Sequence, residues 1–325
     1  MSMARLVVTG ILCLALTAAV AIDHVDADLF VTSSNTDSVL RYDEATGAFL
    51  GTFVSPGSGG LDVPRGLAFG PDANLYVSSG ATGDVLRYSG TTGAFLGTFV
   101  PAGSGGLGNP FDLTFGPGGN LYVASVANDS ILRYDATTGA FLGVFNGVST
   151  PALNTPRALA FGAGNLYVSG EGDRVWRFDA TTGAFLSSFT GDNPRGLAFG
   201  PDNNLYVAQN ISNNILRRNG ATGAFISEFV PHESGGLTSP FGIRFGPDNN
   251  LYVASRGMNA VFRYNGTTGA FIDIFVPPGS GGLSDPNFLA FFTPVAAVPE
   301  PTTWLLLTSG LFGVGVYGHS WRKRR

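Results

Sequence analysis

Three arginines recur at one place in a repeated sentence. Arg65, Arg157 and Arg195 each follow a proline that opens a short apolar run, and Phe111, Phe241 and Asn287 hold the same place in three other copies. A guanidinium offers a planar fork of donors that matches a carboxylate or a sulfate, and aromatic rings stack on sugar faces. Three arginines, two phenylalanines and an amide gathered into one ring would bind an acidic glycan or another carboxylate-bearing ligand. The competing use of these arginines is local, in bonds to loop carbonyls or to Asp62, Asp112 and Asp192.

Catalytic chemistry is harder to assemble. The only cysteine, Cys13, lies in an N-terminal apolar run, so no thiol nucleophile, thiolate metal site or disulfide framework is expected. The histidines are His24 near the N-terminus, His319 in a C-terminal apolar segment, and His232, which stands beside Glu233 on a loop. None is placed as a general base on an inner loop. Asp72, Asp202 and Asp248 sit in Asp-x-Asn turns. One carboxylate per turn is too few for calcium, and these residues read as turn formers. Asn35-Thr36-Asp37, Asn128-Asp129 and Asn213-Asn214 are ordinary turn types that could also serve as contact loops. No catalytic residue, metal site or cofactor is therefore assigned.

Charge narrows the partners. The 325 residues carry a formal net charge of −5, and the only lysine is Lys323. Without the charges of the two terminal segments, 13 basic and 22 acidic residues remain, a balance of −9. That argues against nucleic acid as a general partner and makes an arginine ring a local positive spot.

The elements that must position this ring come in copies. The glycine of Thr-Gly-Ala-Phe falls at Gly47, Gly93, Gly139, Gly183, Gly223 and Gly269, at intervals of 46, 46, 44, 40 and 46 residues. A period in the forties with four short apolar runs per unit is the pattern of propeller blades. In one unit the strands are Gly66–Phe69, Leu75–Val77, Val85–Tyr88 and Ala94–Val100, with Pro71, Asp72 and Gly93 supplying the turns. Asp28-Leu29-Phe30-Val31 matches a second strand with no first before it. Pro286–Phe291 matches a first strand with nothing after it. Together they complete one blade, closing an all-β ring of six four-stranded antiparallel blades over residues 28–292.

Regular positions within the units are expected to be structural. Arg41, Arg87, Arg133, Arg177, Arg217 and Arg263 read as a packing or inter-blade device, and Phe49, Phe95, Phe141, Phe185, Phe225 and Phe271 as blade-to-blade core. A Gly-Ser-Gly-Gly-Leu insert, at Gly57–Leu61 and Gly279–Leu283, is expected to form an outer loop, and the unit holding Asp192 lacks it.

The motif Pro-x-Gly-Leu-Ala-Phe, Gly-Pro-Asp-x-Asn-Leu-Tyr-Val, Ile/Val-Leu-Arg-Tyr resembles that of NHL-repeat six-bladed propellers and their gluconolactonase-like relatives. The resemblance covers nearly all of residues 28–292 and implies the fold. NHL units usually place Asp shortly after Tyr-Val, where this chain has Ser33, Ser79, Ser125, Gly170, Gln209 and Ser255. The departure weighs against inherited metal chemistry. The resemblance still admits a lactonase-like hydrolase or a lyase at the channel mouth, with Glu171, Asp173 and Asp112 as a carboxylate-only metal set.

The ends read as an address. Residues 1–21 have the form of a signal peptide: Arg5, an apolar core from Leu6 to Val20, and a small-x-small site at Ala19-Val20-Ala21. After a linker at 293–298, Pro299-Glu300-Pro301 precedes an uncharged stretch and the cluster Arg322-Lys323-Arg324-Arg325. A single transmembrane helix over Thr303–His319 would span about 25 Å at ~1.5 Å per residue. This tripartite end resembles the PEP-CTERM sorting signal. It implies recognition by an exosortase-type membrane sorting enzyme and export in a Gram-negative bacterium that makes exopolysaccharide. The chain would be anchored in the inner membrane through the helix, then placed at the cell surface or outside. Exopolysaccharide or another surface protein is the expected binding partner.

Overall fold

The computed structural model describes residues 27–147 and 153–292. The signal segment, the linker, the expected transmembrane helix and the sorting residues lie outside them.

Six four-stranded antiparallel sheets make up the described chain. The N-terminal strands are β1 (Asp28–Ser33), β2 (Ser38–Tyr42) and β3 (Phe49–Val54). Blade 2 is β4 (Pro64–Phe69), β5 (Leu75–Ser79), β6 (Asp84–Tyr88) and β7 (Phe95–Val100). Blade 3 is β8 (Pro110–Phe115), β9 (Leu121–Ser125), β10 (Ser130–Tyr134) and β11 (Phe141–Val144). Blade 4 is β12 (Leu159–Gly162), β13 (Asn165–Gly170), β14 (Arg174–Asp179) and β15 (Phe185–Thr190). Blade 5 is β16 (Pro194–Phe199), β17 (Leu205–Gln209), β18 (Asn214–Arg218) and β19 (Phe225–Val230). Blade 6 is β20 (Pro240–Phe245), β21 (Leu251–Ser255), β22 (Ala260–Tyr264) and β23 (Phe271–Val276). The last strand, β24 (Pro286–Phe292), pairs antiparallel with β1, placing Leu29 opposite Phe291 and Val31 opposite Leu289. Blade 1 is thus β24-β1-β2-β3, with the C-terminal strand innermost, as the incomplete end units require.

Adjacent blades are joined by aromatic triplets. Tyr76 of blade 2 meets Phe99 of its own outer strand at 4.8 Å and Phe115 of blade 3 at 5.1 Å, both edge to face. Tyr122, Tyr206 and Tyr252 repeat this geometry, and Phe30 takes the place of tyrosine in blade 1. Edge-to-face contact puts the positive ring edge on the negative ring face, which adds to the apolar burial.

The expectation that Phe49, Phe95, Phe141, Phe185, Phe225 and Phe271 form this core needs correction. Phe49, Phe95, Phe141 and Phe271 are 39–41% exposed and Phe225 is 58% exposed. Four of them instead lie under the Ser-Gly-Gly turn of the preceding insert. An added Cβ on Gly281, Gly59, Gly105 or Gly235 would lie 2.2–2.3 Å from the ring of Phe49, Phe95, Phe141 or Phe271. The same turns accept a 2.8 Å bond from Tyr42, Tyr88, Tyr134 and Tyr264 through the carbonyls of Ser280, Ser58, Ser104 and Ser234. The insert is an inter-blade clasp. Blade 5 follows a short connection without the insert, and there Arg218 replaces the tyrosine and lies 3.9 Å from the Phe189 ring centroid.

Candidate functional site

The mouth of the channel lies where the inner strands begin, and a sharp backbone kink sets it. The residue before each inner-strand proline is left-handed in all six copies: Val63, Asn109, Thr155, Asn193, Ser239 and Asp285 have φ of 46–53°. Such a conformation costs about 1–3 kcal/mol for a residue other than glycine, so neighbouring contacts must hold it. A side-chain oxygen from the preceding blade does so in five copies. Asp37, Asp129, Asp173, Asn213 and Asn259 accept the backbone N–H of Val63, Thr155, Asn193, Ser239 and Asp285 at 2.7–3.0 Å. Gly83 occupies the sixth place. Loops that read as possible contact loops therefore work as ties between blades. Hydroxyls fix the next carbonyl: Thr32 donates to the Arg65 carbonyl at 2.8 Å, and Ser78 and Ser169 donate to those of Phe111 and Arg195 at 2.5 Å.

Behind the kink, three phenyl rings fill the channel. Phe111, Phe241 and Phe288 have centroids 5.7–6.2 Å apart and are 3%, 1% and 8% exposed. Four guanidinium groups lie on this plug. Arg65 and Arg157 are 4.4 and 4.7 Å from the Phe111 centroid, and Arg256 and Arg195 are 4.8 and 5.9 Å from that of Phe241. A cation over a ring face is held by the ring quadrupole.

Of the residues expected at the mouth, the three arginines do meet there. Phe111, Phe241 and Asn287 do not offer themselves to a ligand. The two rings are buried beneath guanidinium groups, and Asn287 is 3% exposed, donating to Ser34 Oγ and to the Asp285 carbonyl. Arg256 was not foreseen. It follows Ser255 at the end of β21, a place held elsewhere by Ser34, Gly80, Val126, Glu171 and Asn210, so no shared residue type marks it.

The four arginines differ in their partners. Arg157 bonds Glu171, and Arg256 grips Asp285 with both Nε and Nη2. Arg65 and Arg195 have no carboxylate partner among the described residues, and Arg195 Nη1 is buried without an acceptor. Asp62, Asp112 and Asp192 are not the partners: Asp192 accepts from Ser212, and Asp112 lies deeper. Burial, reinforced by the neighbouring guanidinium of Arg157, lowers Arg65 and Arg195 to about 10. Both remain cationic at neutral pH, and an arriving anion would relieve the repulsion.

Other candidates resolve locally. The Oδ1 and Oδ2 atoms of Asp72, Asp202 and Asp248 accept from the Asn two residues on and from Tyr76, Tyr206 and Tyr252. These carboxylates are occupied by turn chemistry. Glu171, Asp173 and Asp112 have separate partners, and no group of three or more His, Cys, Asp or Glu is placed to hold a metal among the described residues. Of the regular arginines, Arg41, Arg217 and Arg263 pair with Asp28, Asp202 and Asp273, and Arg177 donates to the Ala221 carbonyl of the next blade. His232 Nδ1 bonds the Ser212 carbonyl, and Nε2 lies 3.4 Å from Glu233.

One carboxyl is buried below the plug. Asp112, 7% exposed, accepts from the N–H of Leu113 and of Leu159, each at 2.9 Å. Burial raises it to about 7, against those two bonds and the charge of Arg244. A carboxyl raised in the folded state contributes stability that is present at low pH and lost as pH rises through about 7. Unfolding in urea should show ~2 kcal/mol less stability at pH 8 than at pH 5.5 from this group. Asp112→Asn should remove that difference while lowering stability at pH 5.5, because one of its two acceptors is gone. An unchanged pH slope in the variant would assign the titration elsewhere.

Residues 297–325 match the model of the PEP-CTERM protein-sorting motif, which implies exosortase-dependent export. No curated protein matches the chain. In fold it is similar to a chain in the crystal structure of a nidogen/laminin complex, with a TM-score of 0.66 at 17% identity over 82% of this chain and 98% of that one. It is also similar to a catalytically inactive virginiamycin B lyase from Staphylococcus aureus, solved with quinupristin. That TM-score is 0.58 at 15% identity over 83% of this chain and 93% of the lyase. A streptogramin B lyase structure gives 0.53 at 18% identity, over 78% and 76% of the two chains. At these identities the likeness is one of fold.

Proposed function

We propose that this chain is an exported binding protein of the cell surface or extracellular matrix, which holds an acidic glycan across the arginine mouth of its propeller. The observation that carries this reading is the pair Arg65 and Arg195, cationic, partly exposed and without carboxylate partners, beside two arginines already held in ion pairs. The arginines lie over the buried rings of Phe111 and Phe241, so the charged groups of a ligand would be met by guanidinium forks backed by an aromatic floor. Carboxylates or sulfates on successive sugars would meet the free guanidinium forks. The PEP-CTERM motif supports the address. In this reading residues 1–21 are removed on export, 28–292 form the binding domain, 293–298 are a linker, and 299–325 anchor the chain until an exosortase-type enzyme acts.

Binding of a uronate-bearing polysaccharide such as alginate tests the proposal, beside the same polymer with its carboxyl groups reduced. Binding to the acidic polymer is expected to weaken with added salt. The double variant Arg65→Ala, Arg195→Ala should bind at least about tenfold more weakly, since one charge-assisted bond is worth roughly 1.5–3 kcal/mol. Arg87→Ala, whose parent faces Asp72 at 4.0 Å away from the mouth, should bind as the wild type does. Equal binding to the reduced polymer would overturn the anionic-glycan reading.

A further inference from the structure

The floor of the channel, at the far ends of the inner strands, holds a third channel cation without an ion-pair partner among the described residues. Five of the six equivalent positions there are small: Ala68, Thr114, Ala160, Ala198 and Ala290. The sixth is Arg244 on β20, which opens into a cavity of ≈ 300 Å³. That is room for roughly ten waters.

Arg244 is ringed by protein yet exposed within the channel. It makes no ion pair or side-chain hydrogen bond among the described residues. Asp112 lies near enough to act on it electrostatically, but both Asp112 oxygens already accept backbone N–H groups. The rest of the wall is Thr114 and the rings of Phe69, Phe115, Phe245 and Phe291, together with small alanines. Those rings are fixed from behind: Phe115, Phe245 and Phe291 sit edge to face on tyrosines, and Phe69 stacks on Phe292 at 3.9 Å. The walls are therefore rigid and preformed, a face of aromatic rings beside polar surface that includes one fork of donors and one hydroxyl.

We infer that this floor cavity binds a small organic carboxylate, its anionic group on Arg244 and its apolar body against the phenylalanine rings. A guanidinium fork takes a carboxylate through two parallel bonds, and such a pair is strongest where water is sparse. The phenyl plug separates this cavity from the mouth, so the inference stands apart from glycan binding.

The full-length chain in detergent tests it, with thermal melts and calorimetry in benzoate, cyclohexanecarboxylate and the uncharged benzamide. The carboxylates should raise the melting temperature with concentration, and benzamide should not. Arg244→Ala should fold, because alanine stands at this place in four other blades, and should weaken carboxylate binding at least about tenfold. The variant Arg65→Ala, Arg195→Ala should keep the response. The inference is overturned if Arg244→Ala responds as the wild type does, if the mouth variant loses the response, or if neither carboxylate binds the wild type at about 10 mM.

Discussion

A chain ended at residue 285 is expected to lose cooperative folding, whereas one ended at residue 292 keeps it. The seven residues between form β24, the innermost strand of blade 1. Phe288 and Leu289 are 8% and 2% exposed, Phe291 packs on Tyr252 at 4.8 Å, and Phe292 stacks on Phe69. At about 1.5–3 kcal/mol for each large apolar side chain fully buried, Phe288 and Leu289 contribute roughly 3–6 kcal/mol, and the half-buried Phe291 and Phe292 add to it. That is of the order of a domain's whole net stability, about 5–15 kcal/mol. The cut also bares the edge of β1, whose unpaired N–H and C=O groups invite pairing with other chains. Circular dichroism melts and gel filtration would read the outcome as a broad transition and soluble aggregates. A sharp melt near that of the longer chain would mean that the ring holds without its seam, and that each blade pair is stable enough alone.

The seam was legible because it needs only counting. A second-strand pattern at Asp28 with no first strand, and a first-strand pattern at Pro286 with no successor, leave one arrangement that buries both. The arginines of the mouth were legible for a similar reason, since Arg65, Arg157 and Arg195 hold one place in a strict repeat. The aromatic assignment failed at a feature that residue type does not encode. The outer strand carries two phenylalanines four residues apart, Phe49 and Phe53, which a regular strand would put on one face. Register shifts leave Leu50 and Phe53 outside the ladder between β2 and β3, so the two rings part. Phe53 then packs on Phe30 at 4.7 Å, and Phe49 turns outward under the clasp. Arg256 and the plug ring Phe288 were hidden differently. Both stand at places where the copies disagree in residue type, and their role depends on how narrow the closed ring makes its channel. The sorting motif is a linear pattern, readable without any fold.

Two glycines with nearly the same positive φ separate local strain from blade contact. Gly93, at the hairpin tip of blade 2, and Gly57, in the clasp, have φ of 70° and 69°. A side chain in this region costs about 1–2 kcal/mol wherever it stands. At Gly57 an added Cβ meets nothing within 4 Å, so Gly57→Ala should destabilise by about that amount alone. At Gly93 the same atom would lie 1.8 Å from the carbonyl oxygen of Phe53, in the outer strand of blade 1. Backbone cannot yield there without shifting Phe53, which belongs to the aromatic triplet joining the two blades. Gly93→Ala should therefore lose a further 1–3 kcal/mol or so, the usual range for overpacking. Gly223→Ala should fall between the two, because the nearest atoms to its Cβ are those of the Phe189 ring at 3.1 Å, a side chain that can move a little. Urea denaturation of the three variants gives the order directly. Equal losses at Gly57 and Gly93 would mean that the hairpin tips are not wedged against the preceding blade. The regular Thr-Gly-Ala-Phe spacing would then record turn geometry alone. The expected order makes those glycines the contact that sets how closely one blade can approach the next, and so how narrow the channel closed by Phe111, Phe241 and Phe288 can be.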